Sequence, residues 1–445
     1  MAAERNQQPI HARLSTFDTA MVVFSLVVGI GIFRTPAIVA GAAGSTSLFF
    51  TAWIVAGLVS LIGALTFAEI GSRYPRAGGY YRVVADSYHP TLAFMLNWAQ
   101  TLMQGAGAAG VAFIGAEYLM PVVLPPPWRT PHASLVLACA TMLILLSLNY
   151  RGVKPGAHVQ NILSLLKIAM IVGLAVVALA LAPRAHIVEP VQAGHPGLRL
   201  ASALIPCFYA YGGYQLTMNL GADLKEARRR FPLAIAAGMF TVVGLYLLLN
   251  FSYQRVLGIG GIADSKLVAA ALSRATFGSF GEVLVSIAVF LSAAGFVNAT
   301  IIQMPRTFYA MAQDGVLPKA FLRVNPQTQV QEVGLLFFGV TMLVPAFLLG
   351  SFEKLLNYII FTDMLTLAVV ASTLFVLRRR HTGDGGFSML GYPFLPALYI
   401  LCLLGIAVRV FSLEPRLAVA GIIILFTGWP LFRLGHRLFG GKSAH

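Results

Sequence analysis

Apolar runs of about 20 residues, the length a helix needs to cross a bilayer, follow one another along nearly the whole chain. They fall near residues 17–41, 46–71, 92–121, 134–150, 157–182, 199–221, 232–252, 280–311, 332–350, 355–377, 391–411 and 417–435. Between them lie short polar segments, none of which can fold alone; the longest, residues 253–279, has room for one short helix. Hydrophobic residues make up 58% of the chain and charged residues 11%, too few charges to cover the surface of a soluble protein of 445 residues. The pattern predicts an all-α polytopic membrane protein with 12 transmembrane helices.

The net charge of +15 would suit a nucleic-acid binder, but the distribution of the charges excludes that reading. With residues 1–16 placed as a cytoplasmic tail, the loops on the inner side and their flanks carry 20 of the 31 basic residues, from Arg5 and Arg13 to Arg437 and Lys442. The outer side carries nine: Arg129, Arg184, Arg199, Arg255, Lys266, Arg274, Lys354, Arg409 and Arg416. Arg34 and Lys167 fall inside spans. This is the positive-inside pattern of a cell or inner membrane protein with both termini cytoplasmic, 439–445 forming the second tail. The first residues lack the apolar core and small-residue cleavage site of a signal peptide. Cys139, Cys207 and Cys402 lie in apolar runs with no metal-ligand spacing, so no metal or cofactor is expected.

Two spans carry breaks. Backbone groups at membrane depth must be bonded within the protein, so an interrupted helix survives only beside a polar cavity or another chain segment. Gly29-Ile30-Gly31 interrupts span 1, and Ala210-Tyr211-Gly212-Gly213-Tyr214 interrupts span 6. Each opens a set of five spans, and an odd number makes the second set enter from the opposite side. Residues 17–182 and 199–380 therefore read as inverted repeats, followed by two further spans over 391–438, and paired broken helices point to a transporter's binding site. Free amides around Gly29, Ile30 and Gly31 suit a carboxylate. The carbonyls of Val27, Tyr209, Ala210 and Gly212 suit an ammonium group, so a zwitterionic amino acid fits. No acid lies in either break to meet a cationic side chain.

Several motifs together resemble the amino acid–polyamine–organocation superfamily, with the L-type amino acid transporters and their bacterial relatives nearest. They are GIGIF with its following proline, FAEIGSRYPRAGGYY at 67–81, VQNILSLLK at 159–167, FYAYGGYQ at 208–215, LSAAGFVNAT at 291–300 and RTFYAMAQDGVLP at 306–318. The resemblance implies a 5+5 inverted-repeat fold, discontinuous helices 1 and 6, and alternating access around a midplane site. It matches Gly29, Ile30 and Gly31 to a carboxylate-binding turn, Tyr209 to an aromatic gate, and Tyr214 and Gln215 to a side-chain pocket. L-type members join a heavy chain through a cysteine after span 3. The corresponding PPPWRTPH at 125–132 has none, so no disulfide-linked partner is expected. Ile30 replaces a small hydroxyl residue common in those relatives.

Lys167 lies too deep in span 5 to reach the membrane surface, and so requires a protein partner. The resemblance places its ammonium where sodium-coupled relatives hold the ion, with the carbonyl side of Gly29 and the hydroxyl of Ser292 as neighbours. That implies sodium-independent transport, by amino acid exchange or by proton coupling. Related sodium symporters close the outer vestibule with an Arg–Asp pair from the same two helices, so the resemblance implies that Arg34 in span 1 and Asp363 in span 10 pair as an outer gate, the alternative being that each faces vestibule water separately. Glu69, beside Arg73 and Arg76, reads as an interfacial charge securing the fold, and the basic run 225–230 as a turn touching anionic lipid. A membrane enzyme would need converging catalytic groups and a channel a repeated pore motif; neither is present in the sequence. An amino-acid-sensing receptor on the same fold would need a signalling domain. Neutral L-amino acids are the leading substrates and a cationic amino acid or polyamine the alternative. One site per chain makes a monomer sufficient.

Overall fold

A computed structural model describes residues 13–182, 195–265, 267–349, 353–383, 386–413 and 415–439. Arg5, Arg184, Lys266 and Lys442 of the charge distribution lie outside these residues, as do most of the two expected tails. The described residues form fifteen α-helices and no strand. In chain order they are α1 (Thr16–Val27), α2 (Gly31–Ala43), α3 (Thr46–Arg73), α4 (Gly79–Ser87), α5 (Pro90–Val123), α6 (Pro131–Tyr150), α7 (Val153–Leu181) and α8 (Pro196–Tyr211). After a 3-10 turn at Tyr214–Asn219 come α9 (Ala227–Ala263), α10 (Val268–Phe277), α11 (Ser279–Gln313), α12 (Glu332–Leu349), α13 (Glu353–Arg379), α14 (Phe394–Leu413) and α15 (Pro415–Phe439).

Among the described residues, nine helices are long and apolar enough to cross a membrane, and the bent pair α1–α2 makes a tenth span. The remaining two expected spans correspond to α8 with its 3-10 turn and to α12, each shorter than the others in regular, described helix. Two elements have no counterpart among the apolar runs. One is α10, the short helix for which 253–279 had room. The other is α4, whose sequence GYYRVVADS is too polar and brief to register as a span.

Burial is concentrated in the helices around the breaks. Every residue from Thr19 to Val28 is buried, whereas α6, α14 and α15 present outward faces such as Leu143 and Ile144, Leu401 and Val408, and Ile423 and Phe426. Large apolar side chains exposed in register along a helix are what a lipid-facing surface requires.

The arginine-rich face is tightly closed. Glu69, fully buried, accepts from Arg73 Nε and Arg378 Nε at 2.7 Å each and from the Met389 amide at 2.9 Å. Arg306 holds Asp223 with two bonds of 3.1 and 3.0 Å. The backbone oxygen of Asp223 takes the amides of Arg13 and Leu14 at 2.9 and 2.8 Å, which ties the start of α1 to the segment before α9. Arg82 pairs with Asp314, and Tyr74 donates to Asp86. Burial, and then the Asp86 carboxylate, push the Tyr74 phenol above its ordinary value. The basic run starts α9, with Arg230 and Glu226 paired at 3.0 Å near its N-terminus.

Candidate functional site

The first break is set by capping at one end and glycine at the other. Ser15 and Asp18 form a capping box that starts α1, with mutual bonds of 2.8 and 3.1 Å. The helix stops at Val28 (φ −81°, ψ 77°), and the axis of α2 departs by 43°. The Gly29 amide is not free, because it donates to Val27 O at 2.9 Å. The open donors at the N-terminus of α2 are therefore Ile30, Gly31 and Ile32, which precede its first complete helical turn. Ile30 and Gly31 are partly accessible while Val27, Val28 and Ile32 on either side are buried.

The second break lies against the first. α8 ends at Tyr211, Gly212 is extended (φ −72°, ψ 165°), and Gly213 takes φ 114°, a left-handed value that favours glycine. A β-carbon on Gly213 would overlap Leu26 O and come within 2.8 Å of Leu26 C, so the two interrupted spans touch backbone to backbone. Gly29 and Gly31 differ. A β-carbon there would meet its nearest neighbours, Phe296 Cδ2 and Ala210 respectively, at an ordinary 3.7 Å. A methyl group would fit at those two glycines in ordinary contact; Gly213 is required by contact.

The carbonyls freed by the breaks have partners. The Tyr246 hydroxyl of α9 lies 3.2 Å from Val27 O and 3.1 Å from Ala210 O, so one proton is shared between the carboxyl ends of both half-helices. Lys167, 1% exposed, donates through Nζ to Val28 O. Ser292 Oγ sits 2.7 Å from Gly29 O and 3.3 Å from Val28 O. The sequence placed Lys167 against the Gly29 carbonyl; the lysine takes Val28 O, and the serine takes Gly29 O. Gly295 makes room for this cluster, since a β-carbon there would be 3.2 Å from Nζ and 3.3 Å from Ser25 Oγ. Ser25 and Ser164 bond at 2.8 Å just beyond, and the Phe24 ring lies 5.7 Å from Nζ.

Tyr209 is 38% exposed although Phe208 and Ala210 beside it are buried. The structure does not bring Tyr214 and Gln215 to the same opening. Tyr214, 3% exposed, bonds the Tyr399 hydroxyl of α14 at 2.9 Å. Gln215 turns back on its own break and accepts from the Gly213 amide at 3.0 Å.

The expected Arg34–Asp363 pair is not formed in this conformation. Asp363 Oδ1 accepts from Gln100 Nε2 at 2.9 Å, and that is its only hydrogen bond or ion pair to a described residue. The charge of Arg34 acts on Glu117 and Tyr118. Gln100 and Glu117 are 17 residues apart on α5, about 25 Å along a helix rising 1.5 Å per residue. Arg34 and Asp363 thus attend to different depths of one helix. Asp363 instead shares its electrostatic surroundings with Tyr209, Tyr214, Tyr80 and Tyr399. This grouping is not legible in the sequence, since it joins four helices and the 3-10 turn across gaps that no local spacing encodes. Tyr246 is hidden for the same reason: nothing in its span sets that hydroxyl apart from those of Thr241 and Ser252.

Two interrupted helices thus meet, with open amides at one and a buried lysine beneath. The sequence model of the amino acid permease family matches residues 14–428. The chain belongs to that family. This permease is 27% identical to the serine/threonine exchanger SteT of Bacillus subtilis over 383 residues, 85% of its own length and 86% of the relative's. It is 26% identical to human Asc-type amino acid transporter 1 over 444 residues, covering 95% of the permease and 82% of the relative. Identity to the human large neutral amino acids transporter small subunit 2 is 27% over 426 residues, 93% and 78% of the two chains. The permease is thus a multi-pass membrane transporter of the amino acid–polyamine–organocation superfamily with L-type relatives, and amino acid transport, not catalysis, is its function.

Proposed function

We propose that this permease moves neutral L-amino acids across the cell or inner membrane by alternating access, independently of sodium and by exchange. The observation that carries the reading is the meeting of the two breaks. The amides of Ile30, Gly31 and Ile32, with Ile30 and Gly31 partly accessible, offer an anion site at a helix N-terminus in this reading, and the second broken span contributes Tyr209 and Gly212. In this reading the substrate carboxylate binds the α2 amides and its ammonium lies toward Val27, Ala210 and Gly212. Tyr209 closes over it, and Tyr214 and Gln215 support the second break from behind.

Sodium independence draws support from the oxygens around Val28 and Gly29. A coupling cation needs such carbonyls, and here the Lys167 ammonium and the Ser292 hydroxyl already occupy them. A positive charge held in place through the cycle suits obligatory exchange, and one relative is named as an exchanger. Proton coupling through Lys167 is the competing mechanism. Residues 17–182 and 199–380 then act as the inverted repeats, 391–438 as trailing spans, and both termini face the cytoplasm. The closed arginine-rich face is the cytoplasmic one in this arrangement. The chain works as a monomer in lipid without a disulfide-linked heavy chain. Transport of a basic amino acid is the second reading, and Asp363 is the observation that favours it.

Thermal unfolding of the purified permease with alanine, alanine amide and propionate tests the zwitterion site. Alanine should raise the midpoint, while the analogues lacking the carboxylate or the amine should not. Equal stabilisation by the amide would remove the α2 amides from the account.

A further inference from the structure

The arginine-rich face holds a hollow that the two breaks do not use. A cavity of about 390 Å3, within the size range of small-molecule sites, opens where three segments meet. Ala77 and the side chains of Arg76 and Arg82 line it from the start of α4 and the loop before it, Ala222 from the turn before α9, and Tyr309 and Gln313 from α11. Its walls are tied through the backbone. The Gly78 amide donates to Asn219 O at 3.1 Å, and the Tyr80 amide to Asn219 Oδ1 at 3.2 Å. Gly78 is itself held at φ 63°, and a β-carbon there would come within 2.6 Å of Arg306 O in α11. The loop before α4 is thus wedged between α11 and the segment that follows the second break, and the hollow at their junction is preformed.

Among the described residues, two guanidiniums and no carboxylate line this hollow. Arg82 gives Nη1 to Asp314 and Nη2 to Gln313 Oε1 at 3.1 Å, and its Nε has no partner among the described residues. Arg76, 61% exposed, gives Nη1 to the Tyr74 hydroxyl at 2.9 Å and stands 3.5 Å from Asp86, while its Nε and Nη2 have none. The two nearby acids have further donors of their own, Asp314 the Tyr81 hydroxyl at 2.8 Å and Asp86 the Tyr74 hydroxyl. Arginine donors left over beside Tyr309 and Gln313 suit an anion with several acceptor oxygens. A phosphate can meet more than one guanidinium, where a planar carboxylate fills a single fork. A cation or zwitterion would leave its ammonium unpaired against this lining. We propose that the cavity binds a phosphate-bearing anion and that its occupancy slows transport, because a ligand bridging the α4 side and α11 holds shut a face that must open. The slowing, though not the binding, rests on the alternating access proposed above. Free phosphate and the headgroup of an anionic phospholipid offer the same chemistry.

Equilibrium dialysis of the purified permease against radiolabelled inorganic phosphate reads the site, and alanine counterflow in phosphatidylcholine vesicles, with or without phosphatidylglycerol, reads its effect. Wild type should bind phosphate saturably at a single site, and phosphate on both sides of phosphatidylcholine vesicles should slow counterflow several-fold. Arg76→Gln, at an exposed position, should weaken binding about tenfold, as loss of a charge-assisted bond predicts, and relieve the slowing. Ala222→Glu, which brings a negative charge to the hollow, should do the same. If free phosphate does not bind but phosphatidylglycerol slows counterflow in wild type and not in Arg76→Gln, the proposal stands with a lipid headgroup as the ligand. No effect of either source, or equal effects in wild type and both variants, overturns it, and binding that leaves counterflow unchanged overturns the slowing. Absence of counterflow in phosphate-free vesicles would instead count against exchange of neutral amino acids, while dialysis still decides the site.

Discussion

Gly213→Ala should be among the most damaging single-methyl changes near the candidate site, and Gly29→Ala among the mildest. At Gly213 two costs add. The backbone is held at φ 114°, a left-handed region that costs an L side chain about 1–2 kcal/mol. The new methyl would also overlap Leu26 O and stand 2.8 Å from Leu26 C and 3.4 Å from Val27 N, all backbone atoms that no rotamer change can move. Overpacking against rigid neighbours adds about 1–3 kcal/mol, for a total of about 2–5 kcal/mol. At Gly29 the nearest atom is Phe296 Cδ2 at 3.7 Å and the φ is not left-handed. The change there should stay within about 0.5 kcal/mol. Equilibrium denaturation in mixed detergent micelles measures both differences. If Gly213→Ala unfolds with wild type, or Gly29→Ala falls as far, the two breaks do not pack as described.

Four further expectations follow from polar contacts, three of them buried. Arg306→Ala leaves Asp223 charged and 1% exposed; losing one partner of such a pair costs about 3–5 kcal/mol. Arg230→Ala at an exposed pair (43% and 61%) should change the same denaturation midpoint little. Tyr246→Phe removes the proton shared by Val27 O and Ala210 O, which should lower stability by about 1 kcal/mol and slow uptake several-fold; wild-type kinetics would show that the bridge is idle. Lys167→Met keeps volume but leaves Val28 O only the longer contact to Ser292 Oγ at 3.3 Å. Uptake assays should find transport abolished while gel filtration still shows a folded monomer, and wild-type transport by this variant would exclude the lysine from the cycle.

The helical architecture was legible because bilayer thickness imposes a length and a polarity on every span. Both breaks were legible too, since paired glycines at membrane depth have few other uses. What glycine does at each position was not. Gly29 and Gly31 looked alike to Gly213 in sequence, but only Gly213 is fixed by left-handed geometry and backbone contact. The partners of Asp363 were equally hidden. An arginine and an acid on helices expected to adjoin suggested a gate, whereas Gln100, 263 residues away in the chain, holds the acid. Pairings of this kind depend on helix rotation and depth, which composition does not record. Helix α4 escaped because short polar helices outside the bilayer carry no length constraint.

Binding of an amino acid where the breaks meet, with Lys167 in place of a coupling ion, makes sodium-free exchange the expected mode of transport. Counterflow into proteoliposomes tests it most directly: radiolabelled alanine outside, unlabelled alanine inside or absent, sodium replaced by choline, and no pH gradient. Uptake should be rapid, require internal alanine and be unchanged without sodium. Uptake into empty vesicles driven by a sodium or proton gradient, with no stimulation by internal alanine, would contradict it.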